Sequence, residues 1–115
     1  MENTDLQAVA ARREGIDEIG MTPEREARIL EKAVETYGAG PQIDMMIEEM
    51  SELTKALCKY RRAQTGRTFD DVLEEMADVQ IMLNQMVLVF ADFNEEEIAK
   101  LERLEERLEN RKEAG

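Results

Sequence analysis

Ile47-Glu48-Glu49-Met50-Ser51-Glu52-Leu53 returns, almost unchanged, as Leu73-Glu74-Glu75-Met76-Ala77-Asp78-Val79. Each copy sets an acid three residues after another inside an apolar run. On a helix that spacing puts both carboxylates on one face, about one turn apart. Two such helices packed together would aim four carboxylates at one point. Converging oxygen ligands beside an apolar core are costly unless something positive sits among them. A divalent metal ion is the simplest candidate. The repeat therefore predicts two packed helices with a metal site between them.

Outward from the repeat the chain stays helical. Thr22-Pro23 reads as the N-cap and first position of a helix running to about Tyr37. Gly38-Ala39-Gly40-Pro41 ends it, and a second helix runs from about Pro41 to Gln64, with Gly66 as its stop. Thr68 is the expected cap of a third helix reaching about Ala91, and Asp70 and Asp71 suit the positive end of its dipole. Asn94 with Glu97 resembles a capping box opening a fourth helix towards Lys112. Its residues Ile98, Leu101, Leu104 and Leu108 form a narrow stripe, as on a surface helix or a coiled-coil-like seam. No segment alternates like a strand. The expected fold is all-α, of four-helix-bundle type, over residues 22–115. Residues 1–21 form an N-terminal extension, expected to be mobile or a short helix over Leu6 to Arg13.

The second half of the third helix is apolar around nearly its whole circumference, through Ile81, Met82, Leu83, Met86, Val87, Leu88, Val89 and Phe90. Such a helix must be buried all round. In a chain of 115 residues other subunits are the natural cover, so a homo-oligomer, dimer or tetramer, is expected.

Composition narrows the chemistry. The formal net charge of −12 argues against broad nucleic-acid binding, and an anionic substrate would need local cations. The longest apolar stretch, Val79 to Phe93, is broken by Gln80, Asn84, Gln85 and Asp92, and no signal peptide is evident. A soluble, cytoplasmic protein without a membrane partner is expected. The lone Cys58 cannot form an internal disulfide; its spacing from Leu53 and Leu57 reads as packing. Histidine is absent, which excludes Glu-x-x-His di-iron bundles and the usual zinc sites. An all-carboxylate site suits a hard cation such as Mg²⁺, with Mn²⁺ as a possible substitute.

Spacing alone does not single out the acids. Glu102/Glu105 and Glu106/Glu109 share it, but they alternate with Arg103, Arg107 and Arg111 as on a solvated face. The repeat differs in its surroundings. No base lies between Arg67 and Lys100 or between Lys32 and Lys55. Like-charge pairs such as Glu74/Asp78 stand there uncompensated, each costing a few tenths of a kcal/mol, roughly, at i,i+4 spacing. At about 100° per residue, Glu49 and Glu52 flank the apolar stripe of the second helix, and Glu75 and Asp78 flank that of the third. Glu48 and Glu74 point further out. The expected metal ligands are Glu49, Glu52, Glu75 and Asp78.

Glu48-Glu49-x-x-Glu52, a 22-residue gap and Glu75-x-x-Asp78 together resemble the EExxE…ExxD signature of MazG-like nucleoside triphosphate pyrophosphohydrolases. The blocks IEEMSELTKALCKY and LEEMADVQIMLNQM are similar to small single-domain members, over about residues 24–110. The resemblance implies a Mg²⁺-dependent enzyme that converts a nucleoside triphosphate to its monophosphate and pyrophosphate. It implies Glu49, Glu52, Glu75 and Asp78 as Mg²⁺ ligands, and Glu49 or Glu52 as acceptor of the attacking water's proton. Phosphate binding needs cations, and Lys55 is the strongest single candidate. Lys59, Arg61, Arg62 and Arg67, with Lys100, Arg103 and Arg107, are better read as partners of helix dipoles and neighbouring acids. Many relatives carry an aromatic residue where this chain has Met82, and others use Trp or His to hold the base; this chain has neither. Two alternatives are a phosphoribosyl-ATP pyrophosphatase-like enzyme and a non-catalytic helical interaction module on the same fold.

Overall fold

Thr22 does open a helix: its side-chain Oγ1 accepts from the Arg25 N–H at 3.1 Å, and Pro23 occupies the position where a missing N–H is harmless. The computed structural model describes residues 19–114 as four α-helices: α1 (Pro23–Tyr37), α2 (Ala39–Arg62), α3 (Gly66–Val89) and α4 (Asn94–Ala114). There is no strand among the described residues, as the all-α expectation requires. The helix proposed over Leu6 to Arg13 lies outside them.

Several boundaries move. Gly38, with φ of 92°, caps both α1 and α2, so α2 begins at Ala39 rather than Pro41. Pro41 is accommodated in the first turn, where no intrahelical N–H bond is lost. Gly66 does not end α2, which stops at Arg62; it is the first residue of α3. The cap of α3 is Thr65 and not Thr68. Thr65 Oγ1 accepts from the Thr68 N–H while Thr68 Oγ1 accepts from the Thr65 N–H, a reciprocal box that satisfies two helix-end donors. The Asn94–Glu97 box does not form either. The Glu97 N–H donates to the Phe93 carbonyl, and the Asn94 N–H faces Asp92 Oδ1 at 3.5 Å.

α2 and α3 form an antiparallel pair packed along their length, and α1 lies mainly against α3. Glu26 of α1 accepts from Asn84 Nδ2 at 3.3 Å, and Asn84 in turn accepts from Gln80 at 3.0 Å. At the α2–α3 turn, the Tyr60 and Phe69 rings meet at 6.3 Å and 59°, a tilted aromatic contact. α4 stands apart from this trio and is exposed along its described side chains. Within this chain α4 therefore does not close onto α1, α2 and α3 as the fourth member of a bundle. The radius of gyration is 17.2 Å, against about 13 Å for a compact 100-residue domain.

The buried set is small and half polar: Ala56, Met82, Gln42 and Gln85. Cys58, read from sequence as packing, is exposed; its position on α2 turns away from α3. The apolar girdle of α3 is only partly covered. Met82 is buried, but Ile81 and Leu88 remain about half exposed. No helix among the described residues is long and apolar enough to cross a membrane.

Candidate metal centre

The register of the α2–α3 pair follows from helix geometry. A step of three or four residues keeps one face of a helix. Each such step up α2 is matched by the same step down α3. Gln42 is bonded to Gln85, Met45 shares a recess with Met82, Glu49 meets Asp78, and Glu52 lies beside Glu75. The two copies of the repeat are thus brought together by one antiparallel seam.

Glu49, Glu75 and Asp78 each offer a carboxylate oxygen, and these oxygens all lie within 4.8 Å of one another. Metal–oxygen bonds of about 2.1 Å in an octahedral shell would set ligand oxygens about 3–4.2 Å apart, so small side-chain adjustments suffice. Glu49 and Glu75 are half-buried and Asp78 is exposed, which leaves the cluster one open side. Glu52 is exposed and stands outside this triad.

The three carboxylates form a locally anionic cluster. Loss of solvent raises the Glu49 carboxyl above its ordinary range, helped by the charges of Asp78, Glu75 and Glu48 and by a hydrogen bond with Asp78. Glu75 is raised too, first by loss of solvent and then by the charges of Asp78, Glu52, Glu74 and Asp71. Oε2 of Glu75 is buried and has no hydrogen-bond partner. A buried oxygen left unpaired is normally avoided. A hard cation at the triad would relieve the repulsion among these carboxylates, and the all-oxygen donor set fits Mg²⁺ or Mn²⁺.

Next to the triad lies a cleft of about 120 Å³ lined by Glu52, Lys55, Ala56, Lys59, Asp71 and Glu75. Lys55 lines this cleft one turn beyond Glu52. Lys59 joins it, although the sequence reading assigned it to the helix dipole. Both lysines are exposed. Glu48 and Glu74 are exposed and stay outside the triad, as expected. A separate acidic recess, lined by Glu105, Glu106, Glu109 and Asn110, involves α4 alone and has no second wall.

The sequence reading missed Gln42 and Gln85, treating Gln85 only as a polar interruption. Gln42 precedes Glu49 by two turns and Gln85 follows Asp78 by two, so both share the carboxylate face. That spacing was the available signal. No family model, curated relative or solved structure matches the chain.

Proposed function

We propose that this protein is a Mg²⁺-dependent nucleotide pyrophosphohydrolase of MazG-like type, converting a nucleoside triphosphate to the monophosphate and pyrophosphate. The observation that carries the reading is the convergence of carboxylate oxygens from Glu49, Glu75 and Asp78 within 4.8 Å of one another. In this reading the three carboxylates hold the cation, with Mn²⁺ as a possible substitute. Mg²⁺, when bound, supplies charge neutralisation on phosphate oxygens and a more acidic water. Lys55 and Lys59, from the adjoining cleft, contact the phosphates as point charges. Glu52 either completes the ligand set or accepts the proton of the attacking water; its position beside Glu75 but outside the triad favours the second role.

The active form is a homo-oligomer, dimer or tetramer, acting in the cytoplasm. Ile47, Met50 and Leu57 on α2 and Leu73 and Met76 on α3 are all about half exposed. By helical angle they lie on the flank away from the carboxylates, so a second copy can cover them without closing the site. Met50→Glu with Met76→Glu should shift the protein to monomers in sedimentation velocity.

The direct test is pyrophosphate release from a panel of nucleoside triphosphates with Mg²⁺. Glu52→Gln and Asp78→Asn should abolish it, while Glu105→Gln on α4 leaves it near normal. Release from none of the panel, together with no thermal response to Mg²⁺, would instead favour the non-catalytic interaction module.

A further inference from the structure

Ile98, Leu101, Leu104 and Leu108 lie on one face of α4, and each is about half exposed. None of the other three helices packs along this stripe. We propose that it pairs with α4 of a second copy, the two helices running parallel and in register. The inference rests on the contact between copies proposed for α2 and α3, and it is independent of the reaction catalysed.

The charges beside the stripe name the occupant. At about 100° per residue, Glu102, Glu105 and Glu109 form a ridge along one edge of it. Lys100, Arg107 and Arg111 follow the other edge, with Arg103 behind them. Glu97 and Lys112, towards the two ends, depart from this separation. A helix with one acidic and one basic edge is complementary to itself.

The same edges choose the direction. In a parallel pair the twofold axis runs along the helices, so the acidic edge of each copy meets the basic edge of the other. In an antiparallel pair the axis crosses them, and acid meets acid while base meets base. Parallel pairing stacks Leu101, Leu104 and Leu108 on their own counterparts, as a and d positions of a heptad. Lys100 then holds a g position facing Glu105 of the second copy at e, where opposite charges set orientation. Antiparallel pairing would instead set Glu102 against Glu105, Lys100 against Arg107 and Ile98 against Arg111.

The acidic edge also carries the open recess of about 450 Å³ lined by Glu105, Glu106, Glu109 and Asn110, which has no second wall within the chain. In the parallel pair, Arg103 and Arg107 of the second copy stand at its height and supply cations there. Three leucine layers fall short of the three or four heptads, roughly, of a self-sufficient coiled coil. The α2–α3 contact must therefore hold two copies together first, raising the effective concentration of one α4 for the other. For this reason Met50→Glu with Met76→Glu is enough to give monomers.

The experiment is disulfide trapping in the full chain, with the native exposed thiol removed as Cys58→Ser. Leu101→Cys and Leu108→Cys are made separately, with Ala99→Cys on the opposite side of α4 as control. The first two, carrying tags of different size, are also mixed, so that links between like positions separate from links between unlike ones. Disulfides need Cα atoms within about 7 Å, which the parallel seam provides at both like positions. Like-position links should form at least about tenfold faster than in the control, with few unlike links in the mixture. Lys100→Glu, added to Leu108→Cys, should slow trapping by about fivefold at low ionic strength. Salt at about 1 M should remove that difference. Dominant unlike links, or faster trapping with Lys100→Glu, mean an antiparallel seam and overturn the proposal. Trapping no faster than the control, in a protein that sediments as an oligomer, overturns it and leaves the α2–α3 contact standing. A wild type that sediments as a monomer overturns both.

Discussion

Replacing Glu49 with Gln should move stability in opposite directions with and without metal. In the metal-free protein the Glu49 carboxylate lies within 4.8 Å of those of Glu75 and Asp78. Two unit charges at that separation repel by about 0.9 kcal/mol in bulk water and about 3.5 kcal/mol at an effective dielectric of 20. Asp78 is exposed, so solvent screening holds the Glu49–Asp78 repulsion near the lower figure, about 1 kcal/mol. Removing it should raise the melting temperature in EDTA by about 4–8 °C, the usual response of a small domain to 1 kcal/mol. Mg²⁺ should stabilise the wild type: at 100 times its Kd it adds about 2.7 kcal/mol by mass action. That corresponds to a rise of roughly 11–22 °C. Glu49→Gln loses a ligand and should lose most of that rise. The assay is thermal melting by circular dichroism at low ionic strength, in EDTA and across a Mg²⁺ titration, with Glu105→Gln as control. A Glu49→Gln protein that is less stable than wild type in EDTA, or that keeps the full Mg²⁺ response, would refute the assignment of Glu49 to a strained anionic site.

Glu52→Gln separates ligand from base: if Glu52 accepts the proton, the variant keeps the Mg²⁺-dependent rise in melting temperature while pyrophosphate release is lost, by about 10²-fold or more. The pH dependence has a definite sign. The Glu49 and Glu75 carboxyls are raised above 4.5 in the folded protein, so the folded state binds more protons than the unfolded chain. Metal-free stability should therefore be fullest below that value and fall as pH rises through the raised values; Glu49→Gln should flatten this fall in EDTA melts. Gln85→Leu leaves the buried Gln42 amide without its acceptor and should cost about 1–3 kcal/mol in urea unfolding. Removing both amides, as Gln42→Leu with Gln85→Leu, should recover much of that loss. Thr65→Ala removes one side of the α3 capping box and should cost about 1 kcal/mol by the same measurement.

Local spacing is enough to give helical character to the described residues, to place the helices within a few residues, and to nominate Glu49, Glu52, Glu75 and Asp78 as candidates. The period of the apolar residues sets the first. The lack of neighbouring bases around the repeat, contrasted with the arginine-laced acids of α4, sets the last. Cap identity was less legible, because Thr65 and Thr68 are both capable hydroxyls and only the reciprocal geometry shows which stands outside the helix. Tertiary structure alone decided the register of α2 against α3. That register brings Glu49, Glu75 and Asp78 within 4.8 Å and leaves Glu52 beside them. It also brings Gln42 and Gln85, 43 residues apart, into a buried hydrogen-bonded pair. A helix face is encoded locally, since residues three and four apart must share it. Which residue of one face meets which residue of another depends on how two whole surfaces interlock, and no local spacing carries that.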